Sequence, residues 1–212
     1  MFDFAATPLH TALPLPQSPL FNTALTRMGM HVRHHALPGG SAMVLQKSSR
    51  LLGSVGLICR GPVWTCGRVD TRVNGLRNMR RALGLRHLVI TPETEAEQEL
   101  YSRAGFIRLA GKPGCVAMLS LAGTPADWLT RMQGKWRNRL RFASKKGVTA
   151  ERHDFMPDAD HWLFNEDGAQ QKRRGYRTLA HPVVAEMALS EPGAAQLFIA
   201  RHQRQAVAAM LF

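Results

Sequence analysis

Apolar residues in the first 121 positions recur at the spacings of short helices and strands. Phe21, Leu25 and Met28 share one helical face, and Gly29 ends that pattern. Two β-rich runs joined by a short polar connection follow, which predicts an antiparallel hairpin. In chain order the pattern predicts a helix over 19–28, strands over 30–37, 41–48 and 51–64, a helix over 75–83, a strand over 87–91, a helix over 95–104, and strands over 106–109 and 115–121.

Polar residues supply capping signals where these helices begin. Asn74 is the predicted cap of the second helix, and Thr94 with Glu97 forms a capping box for the third. Thr124 and Asp127 form another box, with a proline at the first helical position. The residues of the second and third helices expected to face inward are Leu76, Met79, Leu83, Ala96, Leu100 and Ala104.

The turn residues at 123–125 mark a domain boundary. Prolines crowd the first 19 residues, so the sequence predicts an extended arm over 1–19, a first domain over 20–123 and a second over 124–212. The second domain is predicted to hold a helix broken at Gly134, a basic helix over 135–147, a strand over 148–155, a polar helical section over 158–190, and strands over 196–202 and 205–212 that turn at Gln203-Arg204.

The basic helix is the most informative stretch. On a helix, one narrow stripe collects Leu129, Met132, Trp136, Leu140 and Ala143, which predicts a buried face. The other faces carry cations without one interleaved carboxylate: Arg131, Lys135, Arg137, Arg139, Arg141, Lys145 and Lys146. A solvated face needs only mixed charge, so this run favours an anionic ligand, although a merely solvated face is the alternative.

Composition narrows the class of protein. The 212 residues are 45% hydrophobic, enough to form a core, and the net charge of +13 favours phosphate-bearing or other acidic partners or an anionic membrane surface. No helix-turn-helix, zinc-finger or basic-zipper pattern is visible. Three cysteines without CxxC spacing indicate reduced thiols in a cytoplasmic protein, and neither a signal peptide nor a transmembrane run is evident.

Two motifs and the order of elements carry a family resemblance. The phrase Leu100-Tyr101-Ser102-Arg103-Ala104-Gly105-Phe106 resembles the LYxxxGF helix-to-strand turn of GNAT acyltransferases. Two such domains separated by a basic helix resemble the FemABX group of peptidoglycan-bridge aminoacyl transferases. The residues of that helix which carry the match are Trp136, Arg137, Asn138, Leu140, Arg141, Ala143, Lys145 and Gly147.

This resemblance implies a fold and a reaction. The fold would be α/β (α+β), a GNAT-like mixed sheet flanked by helices, followed by an incomplete second GNAT-like domain. The reaction would move an acyl or aminoacyl group from acyl-CoA or aminoacyl-tRNA to an amine of a cell-wall precursor. The loop over 60–67 departs from the GNAT pattern for binding the CoA pyrophosphate, since Pro62 lacks an N–H and the glycine spacing differs. Activity is therefore expected to be weak or absent if the polypeptide ends at Phe212.

Other residues complete the predicted site. Arg173, Arg174 and Tyr176 form a basic-aromatic cluster where the family places contacts to acceptor phosphates, although cations at a helix C-terminus give an equally good account. Glu166 and Asp167 are candidate proton acceptors, for which a solvated turn is the better interpretation. The histidines lack metal-ligand spacing, so no metal is expected, and no catalytic base is assigned.

The sequence thus predicts a GNAT/FemABX-type transferase for an anionic or nucleotide-linked substrate, with tRNA as a candidate partner. Its rival is a non-catalytic basic module that binds RNA or another polyanion on a degenerate GNAT fold. The predicted substrate-binding or anion-binding residues are Lys135, Arg137, Arg141, Lys145, Arg173, Arg174 and Tyr176.

Overall fold

The computed structural model describes residues 13–65, 67–94, 97–109, 120, 122–158 and 161–212. The predicted strand over 115–121, apart from residue 120, and most of the predicted arm lie outside these residues. After a 3₁₀ turn at Leu15–Gln17, the elements in chain order are α1 (Pro19–Arg27), β1 (His31–Leu37), β2 (Gly40–Ser49), β3 (Gly53–Cys59), β4 (Val63–Trp64), α2 (Val69–Ala82), β5 (His87–Thr91), α3 (Gln98–Arg103), α4 (Pro125–Arg131), α5 (Gly134–Lys145), β6 (Thr149–Asp154), α6 (Trp162–Arg174), α7 (His181–Ser190), β7 (Gln196–His202) and β8 (Gln205–Leu211).

The described residues divide into two compact units. The first unit holds residues 13–109 together with 178–191, and the second holds the described residues of 120–177 together with 192–212. Helix α7 therefore belongs to the first unit, where it packs against α1. An ion pair of 3.4 Å between Arg27 and Glu186 joins these two helices. The domain division at residue 123 stays a prediction.

A mixed sheet forms the centre of the first unit. Strands β1, β2 and β3 pair antiparallel, β5 pairs parallel to β3, and β4 pairs with the start of β2. This sheet and its helices confirm the predicted mixed α+β fold class, including the hairpin of β2 and β3. The buried core joins the sheet to α2 and α3 through Leu37, Ala42, Val44, Ile58, Val73, Leu76, Met79, Leu83, Leu85, Tyr101 and Ala104.

The side chain of Gln17 connects the N-terminal segment to this sheet. Its amide nitrogen donates to the carbonyl oxygen of Cys59 at 2.7 Å, and its amide oxygen accepts from the backbone N–H of Met43 at 2.8 Å. In the same register Met43 faces Cys59, two positions beyond Leu45 and Leu57, where the β2–β3 pairing ends. The side-chain amide thus takes the place of a peptide group between two strands.

The second unit contains a three-stranded antiparallel sheet in the order β6-β7-β8. Gln203 and Arg204 connect β7 to β8 with φ angles of +50° and +65°, the conformation that a two-residue hairpin of this twist requires. Phe155, Leu197 and Ile199 are buried in this unit. The predicted strands and their turn are confirmed.

Three helix and strand predictions fail. Helix α2 begins at Val69, and Asn74 lies inside it rather than at its cap. Helix α3 begins at Gln98, and the side chain of Glu97, its N-cap residue, makes no capping bond to the helix. Residues 95–96 of the predicted capping box lie outside the described part of the chain. Residues 106–109 form no strand. The inward positions of α2 are nevertheless right, because Leu76, Met79 and Leu83 are all buried.

Candidate anion-binding site

Helix α5 presents the predicted cations from the second unit. The capping box of Thr124 and Asp127 starts α4 as predicted, α4 ends at Arg131, and α5 begins at Gly134, where the sequence predicts a break. The C-terminal end of α5 is closed by a bond from the N–H of Val148 to the carbonyl of Ala143 at 3.1 Å. Residues close to the helix in the sequence therefore set both its first and its last turn.

The cations of α5 have no acidic partner among the described residues. Lys135, Arg141 and Lys145 are exposed and Arg137 is half-buried. Arg137 donates a long hydrogen bond of 3.4 Å to the carbonyl of Leu129, and no ion pair in the described part of the chain involves α5. Unneutralised guanidinium and ammonium groups on one helix can hold phosphate or carboxylate groups.

The predicted burial of the apolar stripe is wrong. No residue of α5 is buried, and Trp136 and Leu140 are 55% and 46% exposed. The guanidinium of Arg139 lies 4.8 Å from the centre of the Trp136 ring, and the ammonium of Lys146 lies 5.6 Å from that of Phe142. The 3–4 spacing identified which residues share a face, but no packed element covers that face among the described residues.

The second predicted cluster lies at the end of α6. Gly175 follows the helix in the left-handed conformation, with φ of +68°, and Arg173 and Arg174 occupy the exposed last turn. The hydroxyl of Tyr176 accepts from the amide of Gln170 at 2.8 Å and donates to Asp167 at 3.4 Å. A phosphate bound by Tyr176 would have to compete with Asp167 for the hydroxyl proton.

Glu166 and Asp167 are not in a turn, because both lie inside α6. Asp167 accepts from the amide of Gln171 at 2.6 Å as well as from Tyr176. In the part of the chain that the structure describes, no hydrogen bond, ion pair or ring contact joins the four α5 cations of the predicted site to Arg173, Arg174 or Tyr176. Their convergence on one ligand stays a prediction.

The loop after β3 does not fit a CoA pyrophosphate. The backbone N–H of Arg60 donates to the Thr91 hydroxyl at 3.0 Å, and that of Gly61 donates to the Thr91 carbonyl at 3.2 Å. Pro62 has no N–H, and the N–H of Thr65 donates to the carbonyl of Gly39 at 3.0 Å. The Arg60 side chain is held in a bidentate pair with Glu93 at 2.7 and 2.6 Å. These donors are already bonded within the protein.

Sequence reasoning missed the pair that the buried Tyr101 forms with the half-buried Glu97 beside this loop. Tyr101 is buried, and its hydroxyl lies 3.2 Å from the carbonyl oxygen of Gly61 and 3.4 Å from a carboxylate oxygen of Glu97. Burial raises the pKa of the Glu97 carboxyl, and the bond from Tyr101 opposes that rise. Burial and the adjacent Glu97 charge raise the pKa of Tyr101 well above its ordinary value. The i, i+4 spacing of these two residues was the available signal.

Two further observations concern the whole described chain. Among the described residues, no group of three or more His, Cys, Asp or Glu side chains gathers where a metal ion could bind. None of the described helices combines the length and apolarity needed to cross a lipid bilayer.

Comparison with solved structures finds a similar fold. The crystal structure of FemX superimposes with a TM-score of 0.61 over 91% of this chain and 54% of the FemX chain, at 18% sequence identity. The fold is similar to that of FemX. The chain spans about half the length of FemX, and at this identity the likeness to FemX establishes the fold alone. No protein-family profile and no curated protein sequence matches the chain.

Proposed function

We propose that this chain is a cytoplasmic acyl- or aminoacyltransferase of the FemABX type. It transfers an acyl group from a donor to an amine of an anionic acceptor, a nucleotide-linked cell-wall precursor. The FemX-like fold over 91% of the chain supports this class of protein. The observation that carries the proposal is the cationic helix α5, which has no acidic partner among the described residues and suits a phosphate-bearing substrate.

The four cations Lys135, Arg137, Arg141 and Lys145 bind the anionic part of the substrate in this proposal. An arginine can pair two of its N–H groups with one phosphate, whereas a lysine contributes a compact charge. Arg173 and Arg174 extend the binding surface from the end of α6, and Tyr176 adds a hydroxyl once its bond to Asp167 opens. These residues position the substrate and are not catalytic residues.

Aminoacyl-tRNA is the donor that the proposal favours over acyl-CoA. The loop over residues 60–67 has its N–H groups at Arg60, Gly61 and Thr65 bonded within the protein and its arginine paired with Glu93, so it suits a pyrophosphate poorly. A tRNA is a polyanion, and the basic surface of α5 matches its charge. Holding both substrates close together would supply much of the rate enhancement without a dedicated base.

Calorimetric titration of the full chain with a nucleotide-sugar precursor tests the site. The double variant Arg137→Glu, Arg141→Glu places two carboxylates in the cationic surface and is expected to abolish binding while the circular dichroism spectrum stays unchanged. Arg33→Glu with Arg50→Glu is the matched control, since it changes net charge equally at exposed positions of the first unit. Unchanged binding in the Arg137→Glu, Arg141→Glu variant would contradict the proposed binding site. Equal losses of affinity in both variants would show that binding depends only on the net charge of the protein.

A product assay separates transfer from binding alone. Aminoacyl-tRNA and the amine acceptor are incubated with the protein, and mass spectrometry looks for the acylated acceptor. Product that disappears in the Arg137→Glu, Arg141→Glu variant supports the transferase. Thermal stabilisation by tRNA without product supports the rival, a non-catalytic module that binds RNA.

A further inference from the structure

The exposed apolar stripe of α5 needs an explanation that substrate binding does not give. Trp136, Leu140 and Ala143 follow one another at spacings of four and three, so they share one face of the helix. Trp136 and Leu140 expose 55% and 46% of their surface. Phosphate groups bind to the cations of the helix, and this binding does not explain why Trp136 and Leu140 are exposed next to each other. Exposed apolar side chains that lie on one helix face and are bordered by charged groups favour an interaction site.

Cations border this stripe. Arg139 lies on one flank, where its guanidinium covers a face of the Trp136 ring at 4.8 Å, and Lys146 extends the same flank. The chain carries no carboxylate between Asp127 and Glu151. An acidic partner would therefore meet no repulsion along the whole helix.

Apolar residues bordered by cations match one partner in particular. At a bilayer surface, an amphipathic helix lies in the interface with its apolar side chains among the upper acyl chains and its cations at the lipid phosphates. Tryptophan suits the headgroup boundary because its ring is apolar and its N–H is polar. Long basic side chains keep their charge in water while their methylenes cover apolar surface.

Single-stranded RNA fits this surface less well. Stacking on a base requires an open aromatic face, and Arg139 covers one face of Trp136. Leu140 and Ala143 offer neither a stacking surface nor a hydrogen bond to a nucleotide. The aliphatic part of the stripe therefore distinguishes a lipid partner from a nucleic acid.

We propose that α5 binds the surface of an anionic lipid bilayer. Trp136, Leu140 and Ala143 enter the headgroup region, and Arg139 and Lys146 contact the lipid phosphates. This surface lies beside the proposed substrate cations and does not depend on the proposed transferase function. A protein bound in this way would meet acceptors attached to lipid at the membrane surface.

Sedimentation with lipid vesicles tests the proposal on the full chain. The protein is expected to bind vesicles of an equimolar mixture of phosphatidylcholine and phosphatidylglycerol, and not vesicles of phosphatidylcholine alone. Trp136→Ser with Leu140→Ser is expected to weaken binding to the mixed vesicles at least about tenfold, because the two lost apolar contacts together are worth about one factor of ten or more. All the cations remain in that variant, so substrate binding by calorimetry should not change.

Phe142→Ser is the matched control. Phe142 is 64% exposed on the same helix, but it lies two residues after Leu140 and therefore points away from the stripe. Its substitution is expected to change vesicle binding less than about twofold, as expected of a surface residue outside the interface. In addition, brominated lipids should quench part of the tryptophan fluorescence of the wild type, and Trp136→Phe should remove that part while vesicle binding persists.

Four results would overturn the proposal. Failure of the wild type to bind either kind of vesicle would contradict the proposal. Equal vesicle binding by the wild type and by the stripe variant (Trp136→Ser, Leu140→Ser) would show that general charge alone causes the binding. Loss of poly(U) binding in the stripe variant, with wild-type preference for poly(U) over vesicles, would assign the stripe to RNA. A dimer seen by sedimentation velocity that the stripe variant dissolves would assign it to a second copy of this chain.

Discussion

Replacing the hydroxyl of Tyr101 with hydrogen should destabilise the first unit, and the hydrogen-bond acceptors around that hydroxyl determine by how much. The hydroxyl donates to the carbonyl oxygen of Gly61 at 3.2 Å in a buried environment, with Glu97 a second acceptor at 3.4 Å. Tyr101→Phe keeps the ring and leaves the Gly61 carbonyl without this donor. A buried polar group left unpaired costs about 1–3 kcal/mol.

The distances place the cost at the lower end of that range. Both contacts are longer than the usual 2.7–2.8 Å of a hydroxyl donor. We therefore expect a loss of about 1–2 kcal/mol, or a fall in melting temperature of about 2–8 °C for a chain of this size. Urea denaturation followed by circular dichroism measures the first quantity, and calorimetry measures the second.

Tyr176→Phe is the matched control, because it removes the chain's other tyrosine hydroxyl. That hydroxyl accepts from Gln170 at 2.8 Å and is half-buried, so water can replace the lost bond. We expect a change below about 0.5 kcal/mol. Equal losses in the two variants, or a Tyr101→Phe protein as stable as the wild type, would refute this account of the buried hydroxyl.

Two further perturbations test the first unit. Met79→Ala removes a side chain with 0% exposure from the core, and should lower the free energy of unfolding by about 2–5 kcal/mol in urea denaturation. Its control is Met30→Ala, at a position 40% exposed, which should lower it by less than about 0.5 kcal/mol. Comparable losses in the two variants would contradict the assignment of Met79 to the core. Burial raises the pKa of Glu97, so between its unfolded and folded pKa values the folded state binds more protons and stability falls as pH rises. Glu97→Gln should flatten this part of the stability profile measured by urea midpoints from about pH 4 to pH 7, and an unchanged slope would show that other groups cause it.

Local sequence signals located most elements of the fold because neighbouring residues determine them. Gly29 ends α1, and the two residues at 203–204 turn between β7 and β8 as expected. The predicted start of α2 is wrong because Asn74, a residue type common at helix caps, lies inside a helix whose apolar spacing continues backward through Val73. A strong cap residue inside a helix costs little when the apolar face is well packed.

The candidate site was harder to predict, for a different physical reason. The spacing of Trp136 and Leu140 fixes their common face, but burial depends on which distant segment covers that face, and periodicity carries no such information. The hydrogen bond between Tyr176 and Asp167 and the pairing of Glu97 with the buried Tyr101 likewise depend on side-chain geometry. The positive charge of α5 could be predicted from the sequence alone, because it depends on residue type and not on contacts with other segments.

The amide of Gln17 couples the N-terminal segment to the alignment of two strands. It can bond to Met43 and Cys59 together only when β2 and β3 already stand opposite each other. Docking of the segment leading into α1 is therefore coupled to the alignment of these two strands, and a change in either one weakens the other. A glutamate at this position would lack the amide donor and would leave the carbonyl oxygen of Cys59 without this bond.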